Sequence, residues 1–189
     1  MGRPKKARRL AAVALSLAAA LALTGPAQAR TVEQINAGAD AALARFQQQI
    51  RGASDLLRRA RGVLIFSDVV KVGVGIGGEY GEGVLRVGGR SVAYYSFASA
   101  SVGLQVGFQK KDIIILFLAD DALRRFQARG PNEGWQVGVD GSIVLVDAGA
   151  NASVDSAKIN QPIVGFVVGQ KGLMVNLTLE GSKITKLNK

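Results

Sequence analysis

The chain has 189 residues, 48% of them hydrophobic, and contains no histidine and no cysteine. This length and apolar content are typical of a single folded domain rather than of a disordered chain. The two missing residue types exclude the commonest general base, thiol nucleophiles, disulfide bonds and the usual ligands of zinc, haem and iron–sulfur clusters. We therefore expect neither a cofactor nor a metal ion.

The first 29 residues have the three parts of a signal peptide. A basic start that ends at Arg9 precedes an apolar run of 14 residues at 10–23, and Ala27-Gln28-Ala29 has the small-x-small pattern of a cleavage site. A membrane-spanning helix needs about 20 residues, which makes an uncleaved anchor the less favoured alternative. The sequence predicts cleavage after Ala29 and export to the periplasm. Without a cysteine, the exported chain is not expected to be a lipoprotein.

Cleavage would halve the net charge. The whole chain has 24 basic and 14 acidic residues and a net charge of +10. Five of the basic residues and none of the acidic ones lie in positions 1–29, which leaves 19 basic against 14 acidic residues, or +5. This excess suits an anionic membrane surface and is too small to indicate a nucleic-acid partner.

Residues 33–60 follow a helical period. Thr31 and Gln34 predict a capping box at the start, and Gly52 is a position at which the segment divides into two helices. The apolar stripe predicts either a helix that packs on a sheet or a helix that lies in a membrane interface. Its members recur at steps of three and four residues: Ile35, Ala39, Ala42, Leu43, Phe46, Ile50, Ala53, Leu57 and Ala60.

From residue 62 the period changes toward two, which is typical of strands. Turns are predicted at Gly88-Gly89 and at Lys110-Lys111-Asp112, and a helix at 120–129 with Asp120 or Asp121 as its N-cap. The predicted fold class is α+β, with the N-terminal helical segment packed on a curved antiparallel sheet, a sandwich or partial barrel, in one domain over residues 30–189. The predicted strands are 62–66, 72–80, 83–87, 91–98, 101–109, 112–118, 135–146, 163–169, 172–179 and 182–187.

The stretch GVGIGGEYGEG, residues 73–83, matches the G-x-G-x-x-G spacing of a dinucleotide-binding turn. Such a turn must open a helix, whose N–H groups face the phosphate. Here more glycines and two glutamates follow, which disfavour a helix and repel a phosphate, so we expect no nucleotide. In a strand, Gly73, Gly75 and Gly77 share one face. Either another element approaches that face closely or the sheet bends there, or the face is a shallow groove for a ligand such as an acyl chain, or it is exposed without a role.

Four acidic residues lie in glycine-rich motifs: Glu79, Glu82, Asp140 and Glu180. Two carboxylates at a suitable separation can perform acid–base catalysis. Alternatively, each accepts backbone N–H bonds or pairs with a nearby cation such as Lys71, Arg86 or Lys183. The serines in similar motifs have no histidine partner. We therefore expect the structural role and no enzymatic activity.

Many motifs of this chain resemble one family, the SYLF lipid-binding domain, over about residues 55–187. The resemblance implies a non-catalytic domain that binds phospholipid, with lipid contact at an amphipathic segment before the core, which corresponds to residues 33–60. Bacterial members resemble this chain in being exported, stand-alone domains. The motifs, in chain order, are ARGVLIF (60–66), DVVKVGVGIGGEYGEGVL (68–85), Tyr94-Tyr95, SASVGLQVG (99–107), IIILF (113–117), ALRRF (122–126), GVDGSI (138–143) and GLMVNLTLEGSKI (172–184).

The predicted lipid site has a basic part and a glycine part. Each basic residue near an anionic surface adds about 1 kcal/mol of binding energy, although such a cluster is also typical of a solvated helix face. The predicted function is binding of phospholipid or an anionic membrane surface in the periplasm. The alternative is a structural or protein-interaction module of the cell envelope with an unknown protein partner. The site residues are Arg51, Arg58, Arg59, Arg61, Lys71, Gly75 and Gly77.

Overall fold

The structure is a computed structural model that describes residues 29–103, 109–131, 133–146, 160–169, 172–173 and 179–189. The side chains of residues 72–76, 101–103, 109 and 172–173 are not included in this description. Contacts within the chain separate residues 1–30 from a compact unit formed by residues 31–189. All the elements below belong to that second unit.

The described helices lie at the start and in the middle of this unit. They are α1 (Val32–Gln49), α2 (Ala53–Arg59) and α3 (Asp120–Gln127). None of these helices is long and apolar enough to span a bilayer.

The predicted capping box starts α1. The Thr31 side chain accepts a hydrogen bond from the backbone N–H of Gln34, and the Gln34 side chain accepts one from the backbone N–H of Thr31. Gly52 separates α1 from α2 as predicted, since it adopts a φ of +81°, which is readily accessible to glycine alone.

Eight described strands form one curled, mostly antiparallel sheet, a half-barrel, so the predicted α+β class is confirmed. Across the sheet the order is β4-β8-β2-β1-β3-β6-β5, and β7 pairs with β6. Their bounds are β1 Gly62–Val87, β2 Arg90–Gly103, β3 Gln109–Phe117, β4 Trp135–Gln136, β5 Val144–Leu145, β6 Ile163–Gly169, β7 Gly172–Leu173 and β8 Lys183–Leu187.

The longest strand, β1, pairs with β3 through its first part and with β2 through its second part. A β-bulge interrupts it between Phe66 and Val69. In a straight strand, Val69 and Gly81 would be about 40 Å apart. A Cβ atom built at Gly81 would nevertheless lie 3.2 Å from the Cα atom of Val69. The strand therefore curls back over its own first part, which makes the sheet a half-barrel.

Side chains on the two faces of the sheet form two separate cores. Along β3, Ile113 and Ile115 point into one core, whereas Ile114 and Leu116 point into the other. The first core contains the apolar residues of α3, and the second contains those of α1 and α2. The central strands are therefore buried on both faces, and the two apolar faces of the IIILF motif each have a cover.

Several sequence-based boundaries are wrong because the strands are longer than their apolar runs. The predicted strands 62–66, 72–80 and 83–87 are one strand, which also contains the intervening residues 68–71. The predicted turn at Lys110-Lys111-Asp112 is part of β3. The N-cap of α3 is Ala119, whose side chain makes no capping bond. The predicted strand 135–146 is two short strands separated by a turn.

Other predictions agree with the described elements. Gly88 and Gly89 have φ values of +58° and +79° and form the β1–β2 turn, as a tight hairpin requires. The strand predicted at 163–169 matches β6. The parts of the predicted strands that cover residues 104–108 and 174–178 lie outside the described residues.

Candidate functional site

The four predicted arginines lie around α2. Arg51 is exposed in the turn before this helix, Arg58 and Arg59 are exposed in its last turn, and Arg61 is exposed directly before β1. Two basic side chains at a helix C-terminus also interact favourably with the helix dipole. The sequence therefore places four cations on one short segment, residues 50–61, which contains a single acidic residue, Asp55.

Salt bridges divide these arginines into two kinds. Arg58 pairs with Asp55 one turn earlier in α2, and the Arg61 Nε atom lies 3.4 Å from Asp120 Oδ2. No salt bridge is described for Arg51 or Arg59 in the residues that the structure covers. Both guanidinium groups are thus directed toward solvent and available to an external anion.

The other predicted site residues lie elsewhere along β1. Arg61 directly precedes β1, and Lys71 is the last residue of the β1–β3 ladder, ten positions further along the chain. Lys71 is half-buried opposite Gln109. In the β1–β2 ladder, Gly75 pairs with Gly103, and the half-buried Gly77 pairs with Ser101. The burial of Gly75 is not part of the description. Lys71 and the two glycines thus lie further along β1 than Arg61, and a common role of these residues in lipid binding stays a prediction.

Gly81 and Gly83 continue the alternating glycine stripe, and an earlier part of β1 approaches both of them closely. A Cβ atom at Gly81 would lie 2.7 Å from Val69 Cγ2, and one at Gly83 would overlap the carbonyl oxygen of Ile65 and the ring of Phe66. The stripe at Gly81 and Gly83 therefore faces the first core, where β1 crosses over itself. The alternative of a ligand groove does not apply to these two positions.

The carboxylates of the glycine-rich motifs are held by cations or by the backbone. Glu79 lies 2.8 Å from Lys111 Nζ and Glu82 lies 2.8 Å from Lys189 Nζ, and both carboxylates are largely buried. Asp140 pairs with Arg129 and accepts a hydrogen bond of 2.7 Å from the backbone N–H of Gln136. For these three carboxylates the predicted structural role is confirmed, but the cations described here differ from the expected Lys71, Arg86 and Lys183.

A further group of charged residues surrounds the β1 bulge. A pocket of about 80 Å³ opens there, lined by Arg45, Asp68, Lys110, Lys111, Asp112, Val168 and Gly169. Asp68 has a φ of +53°, the one positive value at a non-glycine residue in the described chain. Such a conformation costs about 1–3 kcal/mol and persists where the surrounding structure enforces it.

The buried carboxylate of Asp112 organises this pocket. It accepts hydrogen bonds from the Arg45 Nε atom at 2.7 Å and from the backbone N–H of Asp68 at 3.0 Å. The hydrogen bond from Arg45 to Asp112 raises the pKa of Arg45, and the charges of Asp112 and Asp68 add to this effect. The Arg45 guanidinium is therefore permanently charged and fixed in orientation at the pocket.

Sequence reasoning missed this group. Asp68 falls between the predicted strands 62–66 and 72–80, and Asp112 falls in a predicted turn, where charged residues need no partner. The usable signal was an acidic residue next to each of two apolar runs: Asp68 follows residues 62–66, and Asp112 precedes residues 113–117. The same sheet buries both runs. Within the described residues, no cluster of acidic side chains suitable for a metal ion is found.

The fold and these side chains together define an α+β binding domain. Residues 98–189 match the family model described as Ysc84, Las17-binding protein actin regulator. This match is consistent with a member of the SYLF domain family, the family that the motifs predict. The family consists of non-enzymatic binding domains associated with lipids and proteins. No curated protein matches the chain.

Proposed function

We propose that this protein binds phospholipid at an anionic membrane surface in the periplasm and catalyses no reaction. The observation that carries this proposal is the pair of exposed guanidinium groups, Arg51 and Arg59, on a segment with four arginines and one acidic residue. The match to a family of lipid-binding and protein-binding domains supports it. The signal-peptide pattern of residues 1–29 supports the proposed location.

The mode of contact follows from the burial of α1 and α2. The buried apolar residues of these helices pack against the sheet, and Ile35, Phe46 and Leu56 are at most 4% exposed. Inserting this stripe into a bilayer would first require the helices to leave the sheet. We therefore propose peripheral, electrostatic contact through the polar side of the helical segment rather than insertion of its apolar side.

Vesicle binding by a charge-matched pair of variants tests this function. Arg51→Gln with Arg59→Gln removes the two arginines without a described acidic partner. The control, Arg90→Gln with Lys186→Gln, removes the same charge from exposed positions on β2 and β8. At about 1 kcal/mol for each basic residue, the first variant should bind anionic vesicles about 30-fold more weakly than the wild type. The control should lose much less.

Salt provides the second arm of this experiment. Charges on the surface are screened over about 8 Å at physiological ionic strength, so wild-type binding should weaken as salt is added. Cosedimentation with vesicles of phosphatidylglycerol and phosphatidylcholine at several salt concentrations measures both effects. Equal losses in the two double variants would show that the arginines act only through net charge. Salt-independent binding, or no binding by the wild type, would contradict the proposal.

A further inference from the structure

We propose that the pocket at the β1 bulge binds a small zwitterion that carries a phosphate group and a primary ammonium group, as in phosphoethanolamine. The juxtaposition that carries the inference is a fixed, partly exposed Arg45 in the same pocket as the exposed carboxylate of Asp68. The compound could come from a lipid headgroup or from solution. Only the lipid source rests on the proposed membrane function.

The charges of the pocket separate into an inner and an outer set. The inner carboxylate, Asp112, has a 6% exposed side chain and is engaged by Arg45 and by the backbone of Asp68. The Lys111 ammonium is committed to Glu79 at 2.8 Å and is 7% exposed. These buried groups form the inner wall of the pocket and are already paired within the protein.

The outer set contains both signs of charge. Arg45 is 36% exposed, and its described hydrogen bond to Asp112 uses Nε and neither of the two terminal nitrogens. The Lys110 side chain is 43% exposed and that of Asp68 is 50% exposed. The Lys110 Nζ atom lies 3.9 Å from Asp68 Oδ1, longer than a hydrogen bond. Arg45 and Asp68 therefore offer a ligand one positive and one negative group in the same pocket.

This arrangement selects against ligands of a single charge. A lone anion beside Arg45 would also face Asp68, and a lone cation beside Asp68 would face Arg45 and Lys110. A phosphate at the guanidinium, joined by two methylene groups to an ammonium at Asp68, would satisfy both signs. Guanidinium groups bind phosphate oxygens through several parallel N–H bonds. The apolar Val168 and the small Gly169 leave the pocket wall without a competing charge.

The test compares soluble probes by amide chemical shifts of the full domain. O-phosphoethanolamine should shift residues 68, 110–112 and 168–169 and should bind about tenfold more tightly than inorganic phosphate, the gain expected for one hydrogen bond to a charged group. Phosphocholine should bind more weakly than O-phosphoethanolamine, because its quaternary ammonium cannot donate to Asp68. Equal affinity for phosphate and O-phosphoethanolamine, or shifts elsewhere in the domain, would overturn the proposal.

Asp68→Asn provides the decisive variant. Asparagine tolerates a positive φ and keeps the backbone N–H that binds Asp112, so the fold should be retained. The variant should lose the preference for O-phosphoethanolamine over phosphate. The matched control is Asp55→Asn, which removes an exposed acid from α2 and should keep the preference. Loss of preference in both variants, or in neither, would contradict the assigned role of Asp68.

Vesicles then distinguish the two sources of the ligand. At equal phosphatidylglycerol content, replacing phosphatidylcholine by phosphatidylethanolamine should strengthen binding in the wild type but not in Asp68→Asn if the pocket takes a lipid headgroup. Binding of soluble O-phosphoethanolamine without this vesicle preference assigns the pocket to a free phosphoamine. The Arg51→Gln, Arg59→Gln variant should bind soluble O-phosphoethanolamine like the wild type. Vesicle binding therefore tests the membrane function, and binding of soluble O-phosphoethanolamine tests the pocket independently.

Discussion

At the scale of single residues, the glycines of β1 differ sharply in the space around them. A Cβ atom at Gly83 would overlap the backbone carbonyl of Ile65, which cannot move without displacing the strand. A Cβ atom at Gly78 would meet nothing closer than the carbonyl oxygen of Ser99 at 3.6 Å, an ordinary contact. The glycines of β1 therefore have different roles, although they recur within one short stretch of sequence.

This difference predicts opposite outcomes for two identical substitutions. Gly83→Ala should destabilise the domain by about 1–3 kcal/mol, the typical cost of overpacking, and lower the melting temperature by roughly 3–10 °C. Gly78→Ala, five residues earlier in the same strand, should leave the melting temperature nearly unchanged. Thermal unfolding followed by circular dichroism measures both variants. A Gly83→Ala protein as stable as the wild type would show that β1 does not cross itself closely at this position.

At the scale of elements, polar contacts fix α1 on the sheet near both of its ends. Near its start, the Asn36 side chain donates to the Tyr94 hydroxyl at 2.9 Å, and Arg86 binds Asp40 at 2.6 Å. Near its end, Arg45 binds Asp112. These contacts explain why an amphipathic segment that resembles an interfacial helix instead covers a core: its apolar stripe and several of its polar residues have partners on the sheet.

The link between α1 and α2 depends on one backbone conformation. Gly52 has a φ of +81° and no atom within 4 Å of its Cβ direction, so any penalty for a side chain there is conformational rather than steric. Gly52→Ala should cost about 1–2 kcal/mol, because a left-handed conformation is unfavourable for alanine. Gly52→Asn should cost less, since asparagine tolerates this conformation. Chemical denaturation of the two variants compares these free energies of unfolding, and equal values would contradict the argument.

At the scale of the whole molecule, the net charge and the proposed location both depend on the first 29 residues. Export with cleavage after Ala29 should give a mature chain that begins at Arg30 and carries a net charge of +5. N-terminal sequencing of protein from the periplasmic fraction checks this expectation. A chain that begins at Met1, or protein found in the cytoplasmic fraction alone, would refute the proposed location.

The sequence by itself determined the elements whose signals are local. The capping box at Thr31, the break at Gly52 and the turn at Gly88-Gly89 involve neighbours in the chain, so the residue types were sufficient. The apolar period of 33–60 indicated a buried helical face, and the motif order indicated the family. The arginines of α2 were also found from sequence, since exposure is the ordinary state of a cluster of charges.

Only the tertiary structure decided the continuity of β1, the cover on each face of the sheet and the partners of the buried charges. All three depend on the curl of the sheet, which brings Val69 against Gly81 and places Arg45 of α1 beside Asp112 of β3. Residues so far apart in the chain leave no periodic signal. The twist and the bulge of β1 bring these residues together. A rotation of a few degrees at each residue adds up along the strand to a large change in its direction, which closes the half-barrel.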